Sequence, residues 1–343
     1  MASIAPDTAL HIRRIRDQLP PAAFRPATPR LWHAAVHAAL VGAGYAAIRQ
    51  WPSAGPIAAL VIGHSLACLA FVAHEISHNA VIRQRHLKYG LTLAALTPNL
   101  IPPTMWNRLH NDAHHGHANT VNDPDRPFVE SERQTATRWY AALFYPAQES
   151  WAANGLVLAH FVSYIARNVV SVFYPRAAKP AIVTKKPAYR PFEQRVIAVE
   201  LLLLAAGQYL VFVLAGRSWW NYLWASPVAL CVASAVVMAY VFTNHFLNPI
   251  SHEHDPLSGT TSVRVPRWID RVHCHFSYHT EHHLFPSLNS DYYPLVSRAL
   301  KELAPGDYRQ LAFTDAWRQL WQQPRFRRVQ ARRASSASAP RRT

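Results

Sequence analysis

"VIAVELLLLAAGQYLVFVLA" (196–215) and "LWASPVALCVASAVVMAYVFT" (223–243) are apolar runs of about twenty residues each, separated only by the polar link "GRSWWNY". A hydrocarbon core of roughly 30 Å is crossed by about 20 helical residues, so each run is long enough to span a bilayer. A link this short sends the chain straight back beside itself. The pattern recurs upstream, where "LWHAAVHAALVGAGYAAI" (31–48) and the run 56–73 flank "RQWPSAG". Two histidines and two glycines weaken the first of these runs. The implied fold is an all-α integral membrane protein, with four transmembrane helices in two hairpins and a cytoplasmic helical cap.

Charge sets the orientation. The 343-residue chain carries a formal charge of +16, and its mean hydropathy of −0.06 averages apolar blocks against basic connecting segments. Arg83, Arg85, Lys88, Arg108, Lys185, Lys186 and Arg190 lie between the hairpins, and the tail "RFRRVQARRASSASAPRRT" is more basic still. Basic loops beside apolar spans read as cytoplasmic segments at an anionic lipid surface, so the middle and both termini are expected inside. No RRM, zinc-finger or helix-turn-helix pattern accompanies the charge, and nucleic acid is not expected as a partner. The N-terminus lacks the apolar core and cleavage site of a secretory signal. Cys68, Cys231 and Cys274 are scattered, with no disulfide framework or thiolate zinc site in their spacing.

The expected organisation is a basic arm (1–30), a membrane domain (31–305) and a basic tail (306–343) whose Ser/Ala/Arg/Pro end reads as disordered. Within the middle, "YGLTLAALTPNLIPP" (89–103) and "NGLVLAHFVSYIARNVVSVF" (154–173) read as helices on the membrane surface or plugging the core.

Histidine is the compositional anomaly, with 20 against 19 Asp and Glu together. Three clusters hold much of it: "HEISH" with His74 and His78, "HNDAHHGHANT" with His110, His114 and His115, and "HTEHHLFP" with His279, His282 and His283. Residues four apart on a helix share a face, so His74 and His78 suit one metal. "HEISH" lacks the third ligand of a zincin, which argues against a metalloprotease. Two crossings separate the second and third clusters, so all three emerge on one membrane side. Eight imidazoles exceed one coordination sphere and imply two metals, and imidazole alone suits zinc, copper, iron or nickel.

In this order and spacing, H-x3-H, H-x3-H-H and H-x2-H-H resemble the integral-membrane fatty acid desaturases and related hydroxylases, over roughly residues 55–305. Trp106 before His110, "ANTVNDPD" after the second cluster, and "SYHTEHHLFP" followed by "YYP" strengthen the likeness. The resemblance implies two irons held by the eight box histidines and a ninth near the end of the fourth span. His245 fits that place, with Asn244, Asn248, His252 and His254 as competitors. It further implies O2-dependent removal of two hydrogens from adjacent carbons of a lipid acyl chain. No haem or ferredoxin motif is present, so electrons come from a separate donor such as a ferredoxin or cytochrome b5. His279 stands where cytochrome-fused desaturases usually have Gln, which also argues for a stand-alone enzyme. The alternatives are a lipid or carotenoid hydroxylase or ketolase on the same scaffold, and a membrane metal carrier, which predicts ligands strung along a transmembrane path.

Outside the boxes, Asp112, Asp123, Asp125, Asp270, Glu75 and Glu281 are candidates to orient ligand imidazoles. His33 and His37 read as hydrogen-bonded interhelical residues, and His64, His117, His273 and His275 as supporting or neutral positions. Glu200, inside the third span, reads either as functional or as paired with Arg195.

Overall fold

The computed structural model describes residues 5–126, 168–174 and 187–322. Residues 154–167, Lys185, Lys186 and the tail from 323 lie outside these; of the expected helix 154–173, residues 168–173 are described and helical.

Four helices among the described residues are long and apolar enough to cross a membrane: Arg30–Gln50, Pro52–Ser77, Pro191–Leu214 and Trp219–Phe246. Before them comes α1 (Pro6–Gln18). The first spanning helix is α2 (Arg30–Gln50) and the regular part of the second is α3 (Gly55–Ser77). Next come α4 (Arg85–Leu96) and α5 (Pro103–Asn107), which continues as a π-helical turn through Arg108–His114. The later spans are α6 (Pro191–Leu214) and α7 (Trp219–Phe246), the latter ending in a π-helical turn at Phe242–Phe246.

Each helix starts before the apolar stretch that marked it, and at α6 and α7 a side-chain cap rather than hydropathy stabilises that start. α6 starts at Pro191, whose fixed φ suits a first helical position, with the Glu193 side chain accepting from Arg190 N–H at 2.8 Å. α3 continues to Ser77, which makes His74 helical.

α3 is buried along most of its length and packs against α2, α4 and α7. Gly63 permits the last contact: a Cβ there would collide with the Ala229 carbonyl and the Val232 side chain. α6 shows the opposite pattern, with Val199, Leu202 and Leu210 exposed, as a lipid-facing helix requires. Trp51, Trp219 and Trp220 are exposed where the two short links turn, and Gly55 packs on Trp224. The two turns therefore sit together at one end, with interfacial tryptophans around them.

The opposite end carries the histidines. Here the all-α expectation needs a small correction. Beyond α8 (Pro256–Gly259), β1 (Ser262–Arg264) pairs in parallel with β2 (Gln310–Ala312). The pairing is reached through tertiary contact and has no alternating sequence signature. α9 (Arg267–Val272), α10 (His279–Leu284) and α11 (Tyr293–Leu303) precede β2, and α12 (Phe313–Trp321) follows it. Residues past 305 are thus structured as far as 322, with Ala316 and Leu320 in the main core. The N-terminal arm is docked too: Ile15, Leu19 and Ala23 join Leu284, Leu288, Val296 and Leu300 in a second core beneath the third histidine cluster.

Candidate metal centre

Nine imidazoles meet at this end. His74 and His78 come from the end of α3, His110, His114 and His115 from the α5 run, His245 from the last turn of α7, and His279, His282 and His283 from α10. They form two groups, His74, His78, His110, His115 and His282 in one and His114, His245, His279 and His283 in the other, with ligand atoms within 4.8 Å of one another in each group.

Local geometry explains the split. In α10, His279 and His283 are four apart and share a face, while His282 turns toward the other group. In the second cluster the π-helical turn changes the register, because its hydrogen bonds close over five residues. His110 therefore joins His115, five positions on, with ring nitrogens 3.2 Å apart, and His114 is delivered to the second group. Plain α-helical spacing would instead put His110 and His114, four positions apart, on one face.

The nitrogens face one another. His74 and His110 Nε2 are 2.9 Å apart, His115 and His282 Nε2 3.0 Å, and His245 and His279 Nε2 2.6 Å. His78 Nε2 is buried with no hydrogen-bond partner. Imidazoles so opposed supply too few protons to satisfy every lone pair, whereas a cation in each group would satisfy them together. Burial holds His78, His110, His115, His279, His282 and His283 well below the ordinary imidazole range, and neighbouring histidines push the same way. All six are neutral near pH 7. His114 differs: burial opposes its charge, but the Asp123 carboxylate beside it outweighs burial and raises its pKa.

An apolar cavity opens onto both groups. Phe71, Trp106, Val237, Met238 and Phe276 line it beside His74, His110, His245 and His279, and it continues between α3 and α7 toward Ser234 and Asn99.

Residues 49–314 match the family model for fatty acid desaturases. The chain belongs to the fatty acid desaturase family. No curated protein matches it. The family's catalysis is metal-dependent, and in this desaturase-family chain the two histidine groups fit a two-metal enzyme of that type.

The structure also sorts the supporting residues. Asp123 touches a box imidazole, accepting from His114 Nδ1 at 3.0 Å, and is itself fixed by the backbone N–H groups of Asn119 and Asp125. Glu75 instead pairs with Arg30 at 3.2 Å and Asp112 with Arg108 at 2.7 Å, Asp270 accepts from Ser277, and Glu281 accepts from Ser262 and Tyr308. Glu200 is not paired with Arg195. It accepts from Tyr89 Oη at 2.9 Å and from the Thr104 hydroxyl and backbone N–H, capping α5 at the entry to the second box. His252 and His254 stay outside both groups. Sequence reading gave no role to Tyr293, whose hydroxyl meets His282 Nδ1 at 3.2 Å, or to Phe276, whose ring lies between His74 and His279. Trp106, noted for its spacing, stacks on His110 at 4.7 Å and 8°.

Proposed function

We propose that this protein is an O2-dependent desaturase of lipid acyl chains. The nine histidines are its iron ligands, five in one group and four in the other, and electrons arrive from a separate donor of ferredoxin or cytochrome b5 type. The observation that carries the reading is the opening of one apolar cavity onto both histidine groups. Two irons held by these imidazoles would supply the O2 chemistry needed to take hydrogen from an unactivated methylene. Imidazole without thiolate admits iron along with zinc, copper and nickel, and of these the redox-active iron would serve the O2 chemistry proposed here.

The chain's own residues do the rest. Phe71, Val237 and Met238 hold an acyl chain along α3 and α7, and Phe276 and Trp106 seal the metal end against bulk water. Asp123 holds the His114 Nδ1 proton, which keeps Nε2 for the metal. Tyr293 does the same for His282 through its hydroxyl. The metal end and both termini lie on the cytoplasmic side, where the basic segments meet anionic lipid and a soluble donor has access.

A hydroxylase reading gains support from Ser234. Its Oγ is buried without a partner in the cavity wall, where the hydroxyl of an oxygenated product would find a hydrogen-bond donor. One experiment separates the two: a lipid profile by mass spectrometry of a host expressing the protein with a reductant, beside a His282→Ala control. A product lighter by two hydrogens and absent from the control is expected. A product heavier by one oxygen would replace desaturation with hydroxylation.

A further inference from the structure

A second histidine cluster lies deeper in the bundle. His33 and His37 are one turn apart on α2, His64 and Cys68 one turn apart on α3, and His273 follows α9 directly. Two three-residue groups share Cys68: His33, His37 and Cys68, and His64, Cys68 and His273, with donor atoms within 4.8 Å in each. His64 and His273 face each other Nε2 to Nε2 at 3.1 Å, the same arrangement as in the nine-histidine centre, and Cys68 Sγ stands 3.9 Å from His64 Nδ1.

The far sides of these rings are tied down. His33 Nε2 donates to the Val272 carbonyl at 2.8 Å, which assigns its proton and leaves Nδ1 unprotonated. His37 Nδ1 bonds Ser65 Oγ at 3.2 Å and His273 Nδ1 bonds Tyr240 Oη at 2.9 Å. Ligand imidazoles are generally held this way, with one nitrogen engaged by a carbonyl or hydroxyl and the other turned to the metal. Interhelical hydrogen bonding alone would not gather four imidazoles around a thiol. Cys68, His37 and His273 are buried, so a cation here needs an anionic ligand against its desolvation, and a Cys68 thiolate provides one.

We infer that His64, Cys68 and His273 form a third metal site, separate from the nine-histidine centre, for a sulfur-tolerant cation, zinc(II) being the fitting probe. The site is structural. It joins α3 to the segment 273–278, which places Phe276 in the cavity and leads into His279. Thiol deprotonation accompanies binding, with the proton released to solvent.

The test uses the full-length protein purified in detergent after growth with iron and zinc. Metals per chain are counted by mass spectrometry, and zinc-edge X-ray absorption reads the ligands. Wild type is expected to carry one zinc with a sulfur neighbour at roughly 2.3 Å, a signal that imidazoles cannot give. Cys68→Ser is expected to lose that one equivalent and keep the others, and His282→Ala to keep it while losing metal elsewhere. Zinc with nitrogen neighbours alone, or unchanged metal content in Cys68→Ser, would overturn the site. If Cys68→Ser does not fold, the wild-type absorption spectrum alone decides. Failure of the di-iron reading would appear separately, as missing iron beside an intact zinc–sulfur signal.

Discussion

At the scale of single residues, the centre depends on which nitrogen of each ring is free. Asp123 fixes that for His114 from a fully buried position. Asp123→Asn keeps the size but removes the charge and can present an N–H to the ring, so metal affinity should fall about 10–100-fold. Metal retained after graded chelator dialysis measures this, and retention equal to wild type would remove Asp123 from the design. The histidines that gather at this end were legible because imidazole is uncommon and here recurs at short spacings in three places, with His245 reached only through the family resemblance. Asp123 was one of six plausible carboxylates, and only tertiary contact distinguishes it from Glu75, which faces Arg30, or Asp112, which faces Arg108. Tyr293 reaches His282 across a turn and a helix start, a meeting that no local pattern encodes.

At the scale of elements, helices were legible wherever length and hydropathy sufficed, and their contacts were not. Gly63 looks like a weak point in an apolar run, yet it lets α7 approach α3. Gly63→Val should cost about 1–3 kcal/mol through overpacking and narrow the cavity that both helices line. Thermal unfolding in detergent gives the first effect, and a shift in the chain lengths converted gives the second. Glu200 was readable as costly and so as meaningful, but its role as cap of α5 required the fold. Glu200→Ala leaves the Thr104 N–H and hydroxyl and the Tyr89 hydroxyl without their acceptor, a loss of about 1–3 kcal/mol. The damage should localise to the α5 run, so hydrogen exchange should rise at 103–115 while α2 and α3 stay protected. The π-helical turn at 108–114 escaped the sequence because a spacing of four between His110 and His114 suits an ordinary helix equally well.

At the scale of the whole molecule, each histidine group draws its imidazoles from helices far apart in sequence, so under the proposed function metal binding and assembly of this end are one equilibrium. Acid is the simplest way to perturb it. His78, His110, His115, His279, His282 and His283 are held well below 6.5 by burial, and each returns to about 6.5 on unfolding. Between those limits the unfolded chain binds more protons, so stability rises with pH; it is fully present above about 6.5 and is lost as pH falls toward the folded values. His114 acts in the opposite sense, since Asp123 raises its pKa and its contribution fades as pH rises, but it is one group against six. Protons also compete with metal for the same nitrogens, which steepens the fall. The melting temperature should therefore be nearly flat from about pH 8 to 7 and drop below about pH 6, with metal release in the same interval. Chelation at about pH 7.5 should lower the melting temperature to a comparable degree without protonation. A melting temperature that holds from about pH 7 to 5 while metal leaves would mean that the α3–α10 junction is assembled by packing alone.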